Sequence, residues 1–189
     1  MSLNAIRKTY EKLWGPASQE LLPKISEDLL KDFQEVRILV FAPSRSRLFW
    51  IYATLGLSEV GIDTEEGLPE AHLYTENESE DSVLALSALF EYASDNEIHF
   101  GMVFPVKAGN SLQSTHLCTH LLAAFPHPDG EGFPEIFSEG KEILFLWFLP
   151  ITDAEAEFIN KNGYEVFEEK YLEREPESEF YGWNRASWV

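Results

Sequence analysis

The chain has 189 residues, 44% of them hydrophobic and 14% aromatic, enough to bury one core without staples, and this predicts a single domain over residues 1–189. Its 33 acidic against 14 basic residues give a formal charge of −19, a field that repels phosphate backbones and steers basic partners inward, so nucleic acid is excluded as a ligand. Cys118 is the only cysteine, which excludes an intramolecular disulfide and points to a reducing compartment.

The N-terminal stretch MSLNAIRKTYEKLWGP is charged and periodic, with no apolar run of the kind a signal peptide or membrane span needs, so a cytoplasmic protein with no membrane partner is expected. Within it, Ile6, Tyr10, Leu13 and Trp14 fall near one face of a helix that Gly15 and Pro16 stop. Ser26 to Phe33 reads as a short helical turn. Val36 to Phe41 and Leu48 to Leu55 read as strands, with Gly56 bending the chain and Glu59 to Pro69 forming a loop or short hairpin. Ala71 to Thr75 is a short strand followed by the acidic turn Glu76 to Asp81.

From Ser82 the period changes. Val83, Leu86, Phe90 and Ala93 repeat at helical spacing and predict a central helix ending near Asp95. Phe100 to Val106 holds Gly101 and Pro105 and reads as an edge or bent strand, and Thr115 to Ala123 as another strand. Phe125 to Gly140 is a long surface loop. Ile143 to Leu149 is continuously apolar, as a strand covered on both faces must be, and Pro150 is expected to end its ladder. Thr152 with Glu155 fits a reciprocal capping box, worth about 1 kcal/mol for the cap, and Asn162 with Gly163 supplies a left-handed stop. Tyr164 to Glu173 is a further helix, and the aromatic ending FYGWNRASWV is expected to fold back onto the domain. Strands and helices without strict βαβ alternation predict an α+β fold, a mixed β-sheet flanked by helices.

Two constellations carry candidate chemistry. On a strand, His116, Cys118 and His120 point to one face, where two imidazoles and a thiolate can meet a metal ion or form a base and nucleophile; a half-buried strand with a core cysteine is the alternative. A metal site there needs a second ligand pair, and His127 lies beyond a proline in a loop, which does not fix its geometry. The carboxylates Glu65, Glu66, Glu76, Glu78, Glu80 and Asp81 lack the spacing of a calcium loop, and they read as a solvated face or as the docking surface for a basic protein. In the ending, Phe180, Tyr181, Trp183 and Trp188 form either core or a partner patch. No phosphate-cradling, dinucleotide-binding, nucleophile-elbow or zinc-protease motif occurs, and no cofactor is expected.

Four landmarks, YATLGLS (Tyr52 to Ser58), PEAHLYTE (Pro69 to Glu76), LPITDAEAEFINKNGYE (Leu149 to Glu165) and NRASWV (Asn184 to Val189), resemble in their order the suppressor of fused domain family. The first is similar to the family's threonine, glycine, hydrophobic, serine signature, with Leu57 where methionine is commoner. The resemblance implies an α/β sandwich with helices flanking a mixed sheet, and a binding role without catalysis. The animal namesake is a longer protein that sequesters a transcription factor with the help of a further C-terminal domain, which this chain is too short to contain. Single-domain members of this size look like bacterial proteins, some of them proposed as immunity proteins that neutralise toxins. An acidic inhibitor of a basic toxin fits the charge of this chain.

Overall fold

The computed structural model describes residues 3–106, 116–126, 133–138, 140–173 and 182–189. Its centre is a mixed sheet. Strands β1 (Gln19–Leu21), β2 (Arg37–Phe41), β3 (Trp50–Leu55) and β4 (Leu68–Thr75) run antiparallel to one another in that order. The order then continues through β8 (Lys141–Thr152) and β6 (Cys118–Ala124) to β5 (Val103–Pro105), and β7 (Phe137–Ser138), off this path, pairs with the start of β8. The β4–β8 pair is parallel and joins the two antiparallel halves. Pro105 is tolerated because β5 ends the strand order among the described residues, and Gly101, at φ 76°, turns the chain just before it.

Side chains alternate across this sheet and feed two cores. On one face, Leu146 and Phe148 of β8 and Leu73 of β4 pack with α4 (Glu80–Ala93) and with the short helices α2 (Glu27–Asp32) and α3 (Leu57–Val60). On the other, Phe145, Trp147, Leu149 and Ile151 meet Ile6, Tyr10 and Trp14 of α1 (Leu3–Trp14), together with α5 (Asp153–Asn162) and α6 (Tyr164–Leu172). Consecutive apolar residues are what β8 needs, because neither face sees water. This is the mixed sheet flanked by helices, an α+β fold, that the sequence predicts. No helix among the described residues is long and apolar enough to cross a membrane.

Several local expectations need correcting. Pro150 does not end β8, which runs on to Thr152. It pairs with Leu121, and its carbonyl points away from β6 to accept a hydrogen bond from Arg185 Nη2 at 2.7 Å, so its nitrogen faces the same way and the β6 ladder needs no donor there. β4 starts at Leu68 rather than Ala71, taking in Leu68 and Pro69, which read as loop, and Glu70, which read as neither. β3 starts at Trp50, leaving Leu48 exposed. Residues 57–60 form α3, too short to show any period; Gly56 opens it at φ 97°, and a Cβ there would sit 3.1 Å from Val36 Cγ1. The Thr152–Glu155 capping box and the turn at Gly163, φ 92°, form as expected.

Candidate functional site

Two buried carboxylates organise the parts of the chain that the landmarks mark out. The β3–β4 ladder is regular as far as Ala53 opposite His72. One residue further, the Thr54 hydroxyl takes the place of a backbone partner, accepting from Ala71 N–H at 2.8 Å and donating to Glu70 Oε2 at 2.6 Å. Glu70 Oε1 in turn accepts from the N–H of Gly56 (2.9 Å), the N–H of Ser58 (3.2 Å) and the Ser58 hydroxyl (2.7 Å). Threonine, glycine and serine of YATLGLS are therefore the donors, and the glutamate of PEAHLYTE is their acceptor. Burial pushes the Glu70 carboxyl up to about 7, against the hydrogen bonds that pull it down. Two positions along the same strand, burial among Trp14, Tyr74 and Phe133 holds His72 down near 3, which leaves its imidazole neutral.

LPITDAE and NRASWV meet in the second assembly. Arg185 Nη1 and Nη2 donate to the two oxygens of Glu155 at 2.7 and 2.9 Å, with side chains 4% and 0% exposed. Trp188 N–H donates to Glu155 Oε1 at 2.9 Å, and the guanidinium lies 3.4 Å over the Trp188 ring centre. The same glutamate that closes the α5 capping box thus anchors the tail. Trp183 is buried and Trp188 stacks on Phe167, so both belong to the packed interior; Phe180 and Tyr181 lie outside the described residues.

Between the docked tail and the start of α4 lies a groove of about 950 Å³. Ser79 lines it and caps α4 by accepting from Ser82 N–H at 3.2 Å, and is itself held by Tyr52, whose hydroxyl accepts from Ser79 N–H at 2.7 Å. Asp81 and the carboxylates of Glu76, Glu78 and Glu80 line it, against Lys24 and Arg185 as cations. Arg185 is committed to Glu155, and Lys24 pairs with Glu80, so negative charge predominates. A second hollow of about 360 Å³ shares Lys24, Glu78 and Glu80 and extends toward β1. Glu65 and Glu66 do not join this set. They precede β4, whereas the other four carboxylates follow it or begin α4, and an eight-residue strand separates the groups by roughly 25 Å. Glu66 instead accepts from Phe100 N–H at 3.0 Å.

His116, Cys118 and His120 are not brought together, contrary to the one-face expectation. His116 precedes β6, and a register irregularity between Cys118 and His120 breaks the two-residue alternation. His116 turns to Asp81 and Asn184; His120 Nδ1 lies 3.4 Å from Asp153 Oδ1; and Cys118 is buried with Sγ 3.7 Å from the Gly182 carbonyl. Burial pushes the Cys118 thiol up to about 11, the wrong direction for a nucleophile. Among the described residues no group of three His, Cys, Asp or Glu side chains is placed to hold a metal ion, and His127 lies outside them.

Sequence reading passed over Glu70, His72 and the Glu155–Arg185 pair as buried polar groups. The available signal was Glu70 and His72 alternating on one face inside an otherwise apolar strand.

The family model for suppressor of fused protein (SUFU) matches residues 33–185. Among solved structures, the chain is similar to a SUFU homologue from Neisseria gonorrhoeae, with TM-score 0.74 and 20% identity over 98% of this chain and 96% of that one. It is also similar to a chain of the Sufu–Fu complex, with TM-score 0.62 and 15% identity over 98% of this chain and 88% of that one. For Drosophila Suppressor of Fused the TM-score is 0.58 at 15% identity, over 98% of this chain and 48% of that one. No curated protein matches the chain.

Proposed function

The chain belongs to the suppressor of fused family, and from that membership we propose that it is a non-enzymatic, cytoplasmic protein-binding domain, an immunity protein whose acidic groove engages a basic toxin. The observation that carries this reading is the gathering of Glu76, Glu78, Glu80 and Asp81 on one groove, in a chain of charge −19. Opposite fields accelerate encounter, and carboxylates fixed by a capped helix start and a docked tail need little reordering to meet a cation. The related Sufu has been seen bound to a protein, Fu, which supports a protein ligand here. The separate surroundings of His116, Cys118 and His120 favour this reading over a hydrolase or metal protein.

Affinity capture from the source cell, followed by identification of the bound chain, tests it. A cationic protein is expected, with an association rate that falls about tenfold or more between about 50 mM and about 500 mM salt. Capture of acidic partners alone, or an association rate indifferent to salt, would refute the reading.

A further inference from the structure

One wall of the groove is closed by a histidine with an acceptor on each ring nitrogen. His116 Nε2 lies 2.7 Å from Asp81 Oδ2, on the first turn of α4, and Nδ1 lies 3.1 Å from Asn184 Oδ1, on the C-terminal tail. The side chains of His116 and Asp81 are only 12% and 14% exposed. Asn184 presents its oxygen, not its amide nitrogen, because the same atom accepts from Leu117 N–H at 3.3 Å. A neutral imidazole carries one N–H and can satisfy one of these acceptors; only the imidazolium donates to both.

We infer that His116 is a proton-operated latch: protonated, it ties the tail at Asn184 to α4 and completes the groove wall; neutral, it holds one side and loosens the tail next to Asn184, while Arg185 keeps its anchor on Glu155. Around it stand Asp81 from α4, Asn184 and the Trp183 ring from the tail, the ring centre 6.0 Å away. The other charged groups lining the groove are Glu76, Glu78, Glu80, Lys24 and Arg185. Lys24 is held by Glu80 and Arg185 by Glu155, so among the described residues Asp81 is the charge that His116 meets directly. Tail docking next to the latch is reported by one backbone bond, Cys118 N–H to Trp183 carbonyl at 2.9 Å. The consequence for partner binding rests on the groove reading above; the latch itself does not.

The test uses the free, ¹⁵N-labelled chain, recording the His116 ring nitrogens and amide exchange at Leu117 and Cys118 from about pH 5 to about pH 8, normalised to intrinsic exchange. Both ring nitrogens are expected to carry protons at the acid end. Protection at Leu117 and Cys118 should then fall roughly tenfold as His116 titrates, while Leu122 in the sheet, the control for global opening, does not follow it. Asp81→Asn should move titration and protection loss together to lower pH, and Asn184→Asp should move both to higher pH. The latch is overturned by a ring with a single N–H wherever the tail is protected, or by protection that ignores the state of the ring in the wild type and both variants. With no partner in the experiment, such a failure leaves the basic-partner reading intact, and a failed capture leaves the latch intact.

Discussion

Replacing Arg185 by alanine is expected to destabilise the fold by about 3–5 kcal/mol, because it strands a fully buried Glu155 carboxylate without its cation. The loss spreads further than one ion pair. Arg185 also supplies the donor to Pro150 O, at the point where β8 has passed beyond its pairing with β4, and it packs on Trp188. Arg185→Lys keeps the charge but loses the two-pronged contact, so it should recover only part of the loss. Changing both partners, Arg185→Met with Glu155→Leu, should be far milder than Arg185→Ala, since no unpaired charge stays buried. Urea midpoints of the three variants check this; an Arg185→Ala midpoint near wild type would show that the tail contributes nothing to the fold.

Glu70→Gln should change how stability depends on pH. The Glu70 carboxyl titrates at about 7 when folded and near 4.5 when unfolded, so the folded state holds its proton longer. Below about pH 4.5 both states are protonated and burial of the acid costs little; as pH rises from about 4.5 to about 7 the unfolded carboxyl gives up its proton while the buried one keeps it, so stability falls by roughly 3 kcal/mol and levels off once the folded carboxyl has ionised as well. Glutamine keeps an acceptor for Gly56 N–H and Ser58 N–H but has no proton to lose. The difference in unfolding free energy between wild type and variant should therefore shift in favour of the variant by up to about 3 kcal/mol between pH 4.5 and pH 8. Parallel pH curves would contradict a raised Glu70.

These assemblies explain what was readable in the sequence and what was not. Elements fixed by local chemistry were legible: the α4 period, the Thr152–Glu155 box and the left-handed Gly163 are decided within one or two turns. Pro150 was misread because its effect depends on which side of β8 has a partner, a property of the parallel β4–β8 pairing that no local pattern carries. Glu70 fell between the predicted loop and the predicted strand because a carboxylate inside a strand is tolerated only with donors such as Thr54 and Ser58, whose convergence requires the bend at Gly56. Arg185 and Glu155 stood in separate landmarks 30 residues apart, and only the fold joins them. The acidic residues read as one surface were divided for the same reason, since β4 carries the chain from Glu65 and Glu66 at one end to Glu76 at the other.

The landmarks build the scaffold, the ends of two of them, Glu76 and Asn184, reach the acidic groove, and the proposal places binding there. Association kinetics with the captured partner, at about 100 mM salt, test that assignment most directly when two charge reversals are compared. Glu76→Lys with Glu78→Lys should slow association about tenfold or more, while Glu65→Lys with Glu66→Lys, the same change in charge at the other end of β4, should slow it far less. Equal slowing by both pairs, or no slowing by the groove pair, would contradict it.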